Sequence, residues 1–387
     1  IDLHGEDEQW DQLGEAWLRP ILNARRELVL ILHRDAERQH PVIEQLLAAT
    51  ASLPQQSIER GSTVESLGLV RTTLSPRRLP PYQRWWQLPP GTRIPRRERE
   101  SYSSLDMFLH SPYQWLLRYA GGISAGSLVS VSDGNRLKGN LSHRIMQQYF
   151  EANPRPAAHD NREIAEWIDR ELPELLAREG ALLLEPGRQA ECQRFIVQTR
   201  DALITLVEHL RAADTAQVVM ELGQEGCFDG GGLQGSIDLL ATRKDGSEAV
   251  VDIKWGGLRH RRAALADDDY LQLAVYARLR HEETGRLPDL SYFIVTDAHM
   301  LSLDHAFFPH AEVIPRTAET SAESYWRQVE GLWQWRRRQL DRGLVEVTVS
   351  GTEPDEVSHS APGGIDLRDA YDTFNDFRVL TGWDPAE

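Results

Sequence analysis

The stretch "LQGSIDLLATRKDGSEAVVDIK", residues 233–254, constrains the fold more than any other part of the chain. Two apolar runs flank "RKDGS", whose Asp-Gly pair is a hairpin-turn signal. Strand side chains alternate between two faces. Val250, Asp252 and Lys254 therefore share one face of the second run, and Val251 and Ile253 share the other. Asp238 stands midway along the first run. Charge inside an apolar strand is costly unless it is paired or bound to an ion. A lone D-x-K fits a strand end emerging into water. Two carboxylates on the two strands of one short hairpin also make a divalent-ion site. Mg²⁺ takes oxygen ligands at about 2.0–2.1 Å and keeps several waters, and Asp238, Asp252 and the Ile253 carbonyl would supply three oxygens. Lys254 lies one step along the face from Asp252. There it can orient or deprotonate a water, or neutralise charge on a phosphate. Metal plus lysine is the equipment of phosphodiester hydrolysis.

The surrounding pattern is mixed α/β. Helical spacing is read over residues 101–119, 139–151, 163–179, 189–212, 268–284 and 322–342. Strand patterns cover 217–228, 233–242, 248–254, 290–297 and 300–308. Residues 1–70 read as a separate α/β fragment, with "ELVLILH" as a buried strand between two helices. Residues 71–100 read as a Pro- and Arg-rich linker or arm, in which Arg71, Arg77, Arg78, Arg84, Arg93, Arg96, Arg97 and Arg99 oppose Glu98 and Glu100. No phosphate-binding G-x-x-x-x-G-K-[ST] loop is present, and the first residue is Ile1. The expectation is a piece of a longer polypeptide whose motor, if it has one, lies elsewhere.

Charge divides the molecule further. The net charge of −16 argues against nucleic acid when taken alone. Its distribution tells more, because basic strips interrupt an acidic body. "RHRR" follows the hairpin at once, and Arg259, Arg261 and Arg262 are candidate DNA contacts. "WRRR" forms another basic knot, and Trp326, Trp333 and Trp335 fit a core stripe better than a base-stacking surface. The two cysteines, Cys192 and Cys227, exclude a disulfide scaffold and a four-cysteine metal site, and they suit a reducing, cytoplasmic setting. No apolar run reaches the roughly 18 residues of a membrane span.

The ordered motifs resemble the PD-(D/E)XK nuclease superfamily, more narrowly the nuclease domains of RecB and AddB. In those domains a G-x-x-D strand leads by a hairpin into D-x-K, and a following helix carries Q-x-x-x-Y. The corresponding residues here are Gly235, Asp238, Asp252, Lys254, Gln272 and Tyr276. "GNLSHRIMQQYF" supplies His143 for the family's upstream histidine, and "SYSSLDMFLHSPYQWLLRY" resembles its opening helix. The resemblance implies a restriction-endonuclease-like α/β core over residues 101–350, with a mixed central sheet flanked by helices. Residues 351–387 would be a tail packing back on it. The resemblance also implies hydrolysis of DNA, preferably single-stranded, with Mg²⁺ or Mn²⁺ held by His143, Asp238, Asp252 and the Ile253 carbonyl. Asp238, Asp252, Lys254, Gln272 and Tyr276 would form the catalytic set, with Gln272 and Tyr276 also facing DNA from one helix face. Glu221 is a candidate supporting acid. A helicase or ATPase partner is implied, in DNA repair or phage defence. The rival reading is a non-cleaving DNA-binding scaffold in a motor complex. The chain departs from AddB in one respect. Four cysteines there hold an iron–sulfur cluster, whereas here Ser111 precedes Pro112, and Tyr371, Phe374 and Phe377 stand in the tail. No cluster is expected.

Overall fold

The computed structural model describes residues 81–124, 134–316, 320–349, 355–367 and 375–382. The expected N-terminal α/β fragment lies outside these residues, as do Arg71, Arg77, Arg78, Tyr371 and Phe374.

Two short strands, β1 (Trp85–Gln87) and β2 (Arg99–Ser101), fall inside the segment expected to be a linker. Ser101 then caps α1 (Tyr102–His110). Its hydroxyl accepts the Ser104 N–H, and the Ser104 hydroxyl accepts the Ser101 N–H, so two donors at the helix start are satisfied reciprocally. Pro112 opens α2 (Pro112–Trp115), which runs on as a π-helical turn, Leu116–Ala120. Three long helices follow: α3 (Gly134–Ala152), α4 (Asn161–Glu179) and α5 (Gln189–Ala212). The hairpin strands come next as β3 (Thr215–Phe228), β4 (Gly231–Arg243) and β5 (Glu248–Lys254).

Beyond β5 the "RHRR" strip belongs to a helix, α6 (Leu258–Ala266), which its polar composition conceals. The next helix, α7 (Leu271–Thr284), starts later than its periodicity suggests. Asp268 has a left-handed φ of 54° and accepts a hydrogen bond from Arg316 at 3.0 Å, so the chain cannot be helical there. Then come β6 (Asp289–Ile294), β7 (His299–Ser302), β8 (Glu312–Val313), α8 (Ala322–Asp341), β9 (Leu344–Glu346) and α9 (Glu356–His359). The expected helix over residues 366–380 falls largely outside the described residues, and its described end is a 3-10 turn, Arg378–Leu380.

The central sheet runs β2-β4-β5-β6-β7-β8, with β3 also paired to β4. It is mixed: β5 pairs β6 in parallel, while β3–β4 and β4–β5 are antiparallel. Strand alternation sends the two faces into two cores. Val250 packs with Leu105 and Phe108 of α1, Leu279 of α7 and Val329 of α8. Val251 and Ile253 pack with Leu141 and Ile145 of α3, Ile168 of α4 and Leu203 of α5. The result is a sheet between two helical layers. No helix among the described residues is long and apolar enough to cross a membrane.

One edge of β4 is shared by two partners. β2 pairs with it in parallel at Gly232–Gln234, and β5 pairs with it antiparallel from Leu239 to Thr242. Residues 235–238 have no ladder partner on that edge. The strands fork there, and the fork forms the site.

Candidate active site

Asp238 and Asp252 are the next opposed residues beyond the last β4–β5 pair, Leu239 with Val251. The fork frees the Ile253 N–H from the ladder, and Asp238 Oδ2 accepts it at 2.8 Å. Asp252 is fully buried. Lys254 Nζ lies 2.8 Å from its Oδ2, and beyond that ion pair neither oxygen of Asp252 meets a hydrogen-bond donor among the described residues. A buried carboxylate met by one ammonium alone has lone pairs to spare, and these suit it to a divalent cation.

His143 arrives from α3. The stripe Leu137, Leu141, Ile145 and Tyr149 is buried against the sheet, which leaves His143 at the helix edge over the fork. Its Nε2 is 2.8 Å from the Ile253 carbonyl oxygen and 3.8 Å from Asp238 Oδ2. The Ile253 carbonyl, His143 and Asp238 would thus offer two oxygens and a nitrogen to one ion, with the two oxygens 2.8 and 3.8 Å from the imidazole. Glu221 completes the group, with Oε1 3.5 Å from His143 Nδ1. One ligand atom each from His143, Glu221 and Asp238 lies within 4.8 Å of the others. The donor set of carboxylates, carbonyl and imidazole suits Mg²⁺ and Mn²⁺, the imidazole favouring Mn²⁺.

Glu221 therefore stands closer to the centre than a supporting role implies. Its backbone holds φ at 50° inside β3, a left-handed conformation that costs a non-glycine residue on the order of 1–3 kcal/mol and marks functional sites. The neighbouring ladder pairs, Met220 with Leu239 and Leu222 with Ile237, put Glu221 opposite Asp238. No local sequence pattern announces that kink.

The electrostatics follow from the crowding. Burial, with the nearby Asp252 charge, raises Asp238 to about 7. Burial pulls the His143 imidazole down, but the Glu221 hydrogen bond and the Asp238 charge outweigh it, so its pKa is raised. The hydrogen bond from His143 holds Glu221 below the usual carboxylate range. Tyr276 is raised by burial and then by Asp252, which keeps the phenol protonated. Gln272 Nε2 donates to its oxygen at 3.1 Å, leaving the Tyr276 O–H as a donor. Gln272 and Tyr276 thus act as a pair beside Asp252.

The basic residues divide. Arg262 is held by Glu312 through two hydrogen bonds of 2.9 and 2.6 Å. Arg261 lies 5.1 Å over the ring of Tyr292, the β6 partner of Asp252. Arg259 is exposed. In the arm, Arg84 bonds Glu346, Arg97 bonds Glu100, Arg99 bonds Glu225, and Arg96 lies over Trp333. These four arginines are engaged within the molecule. Trp326, Trp333 and Trp335 are buried core residues.

A cleft of about 440 Å³ opens at the fork, lined by His143, Glu221, Ile253, Lys254 and Trp255, and by Asn135, Arg136, Gly139, Asn140, Arg144 and Gln147 of α3. The α3 polar residues were not among those singled out by the sequence.

No curated protein matches the chain. Residues 99–350 match the PD-(D/E)XK nuclease superfamily. That span takes in His143, the forked β4–β5 hairpin and the Gln272–Tyr276 pair, and on this match the chain belongs to the PD-(D/E)XK nuclease superfamily.

Proposed function

We propose that the chain is a Mg²⁺- or Mn²⁺-dependent deoxyribonuclease that hydrolyses phosphodiester bonds, preferentially in single strands. Superfamily members are typically nucleases that use divalent metals, which sets the reaction class. The observation that carries the reading is Asp252, a fully buried carboxylate ion-paired to Lys254 at 2.8 Å and otherwise without a hydrogen-bond donor among the described residues. A binding-only scaffold has no use for such a group.

Asp238, Asp252, the Ile253 carbonyl and His143 would hold the ion, with Glu221 beside His143. When bound, the ion polarises the phosphoryl group and lowers the pKa of water. Lys254 lines the cleft, where its ammonium orients the attacking water or meets charge developing on the phosphate. The Tyr276 phenol offers a hydrogen bond on the Asp252 side, and Gln272 fixes its direction.

Single strands are favoured on energetic grounds. Opening duplex costs about 1.4 kcal/mol per base-pair step, and the chain carries no phosphate-binding motor loop. The partner implied is a helicase that delivers separated strands, in DNA repair or defence against foreign DNA. The test is cleavage of labelled single strands and blunt duplex with and without Mg²⁺. Metal-dependent cutting of the single strand, with the duplex spared, is expected. Equal cutting of both without ATP or a partner would refute the strand preference, and no cutting of either in Mg²⁺ or Mn²⁺ would refute the activity.

A further inference from the structure

The cleft is built asymmetrically. Its polar lining comes almost entirely from one stripe of α3, on which Arg136, Asn140, His143 and Gln147 follow one another at helical spacing. His143 occupies the middle of that stripe and reaches the Ile253 carbonyl at the fork. Arg136 and Asn140 lie on its N-terminal side, and Gln147 and Arg144 on its C-terminal side. Arg136 and Asn140 are exposed, and neither has a side-chain partner among the described residues. Arg144 donates to Gln147 Oε1 at 3.1 Å and lies 3.9 Å from Glu179 Oε1 in a solvent-exposed pair, weak enough for a phosphate to displace. The facing wall is Trp255, whose ring is backed by Phe195 at 5.3 Å between centroids.

This stripe serves no packing purpose. The buried stripe of α3 is the adjacent one, and cations left exposed in an acidic chain mark where an anion is received. Four residues of helix advance about 6 Å, a step of the same order as the separation of phosphates along an extended strand. The cleft volume of about 440 Å³ is that of a small-molecule pocket.

We infer that the α3 stripe is the track on which a single nucleic-acid strand lies across the metal centre, with Arg136 and Arg144 contacting phosphates on opposite sides of the scissile bond and Trp255 bearing a base. This assignment rests on the nuclease reading and adds which surface holds the substrate. It makes α3 the binding element. A base on Trp255 and phosphates on the arginines combine stacking with charge, the usual means of holding a strand without reading its sequence.

The test uses the full chain and a fluorescent oligodeoxynucleotide, with affinity measured by anisotropy in Ca²⁺ over a range of salt. Arg136→Gln/Arg144→Gln should weaken binding about tenfold and reduce the magnitude of the salt slope by about 1.4, the value for two phosphate contacts on a single strand. Arg136→Lys/Arg144→Lys should restore the slope. Trp255→Leu should weaken binding without changing the slope, since stacking releases no counterions. Arg162→Gln/Arg170→Gln on α4 removes the same charge elsewhere and should leave affinity as it was. Unchanged affinity and slope in a folded Arg136→Gln/Arg144→Gln protein would overturn the track, as would an equal loss in the α4 control. Hydrolysis of bis(p-nitrophenyl) phosphate by the wild type separates the two claims. A wild type that binds the strand through these residues but hydrolyses nothing supports the track and overturns the nuclease reading.

Discussion

Asp238 accepts the backbone N–H of Ile253 at 2.8 Å, one position beyond the last ladder pair of β4 and β5. The side chain thus takes over a hydrogen bond that the separating strand can no longer supply. The same carboxylate is a candidate metal ligand, so structure and chemistry are joined in one group. Asp238→Asn keeps an acceptor for that N–H, whereas Asp238→Ala leaves it without one. Both should lose metal-dependent cleavage. Only the alanine variant should lose stability in EDTA, by about 1–3 kcal/mol. Urea melts of the two variants check this, and equal midpoints would refute it.

Lys254→Ala should lower cleavage of single strands by about 10²–10⁴-fold, the range for losing a group that moves or holds a proton in the reaction. It also leaves Asp252 buried with no cation. Metal-free stability should therefore fall, on the order of 3 kcal/mol as for a broken buried pair, and added Mg²⁺ should restore more of it than in the wild type. Single-turnover rates and thermal melts with and without Mg²⁺ read the two effects separately.

Protons compete with the ion. Asp238, raised to about 7 by burial and Asp252, and His143, also raised, both hold protons in the metal-free fold at mildly acidic pH. For Asp238 the folded state binds more protons than the unfolded one between about pH 4 and 7, so its contribution to stability falls as pH rises through that window. His143 contributes with the same sign. Its stabilisation is present below its unfolded pKa and is lost as pH rises through the folded value. Metal-free protein should therefore gain more in melting temperature from Mg²⁺ at pH 8 than at pH 6. In weak buffer at pH 6, adding the ion should release protons, and no release at pH 6 would remove Asp238 and His143 from the ligand set.

Glu221 carries strain and is a candidate ligand at once. Glu221→Gly accepts the positive φ without penalty and should be at least as stable as the wild type in EDTA. It should bind Mn²⁺ about 10–100-fold more weakly, as should His143→Ala. A Glu221→Gly protein with an unchanged Mn²⁺ titration would return Glu221 to a purely structural place.

Much of this site is legible in the sequence because its central part is local. The Asp-Gly turn fixes the hairpin register, and strand period places Asp252 and Lys254 on one face. Gln272 and Tyr276 are four apart on one helix and meet in a hydrogen bond. What the sequence does not show depends on contacts between distant segments. Glu221 reaches the site because its strand kinks opposite Asp238. The arm's arginines look free in a linear reading, but Arg84, Arg97 and Arg99 meet Glu346, Glu100 and Glu225 in the fold. The α3 stripe was hidden by the ordinary look of a polar helix face. Only the fork shows that this face borders a cleft rather than open solvent.

The first described strand and the last are partners. Trp85 lies opposite Glu346, and Glu346 is gripped by Arg84, Ser358 and the fully buried Arg336. The chain stays on the unit beyond that point, since Asp355 accepts the Trp85 indole N–H at 2.6 Å. One buried carboxylate thus joins four segments far apart in sequence: the start of β1 through Arg84, α8 through Arg336, its own β9, and α9 through Ser358. The seven-stranded sheet, which holds the fork, is a separate ladder. Losing the Glu346 charge would therefore loosen all four segments together and strand the Arg336 guanidinium in the interior, at a distance from the fork.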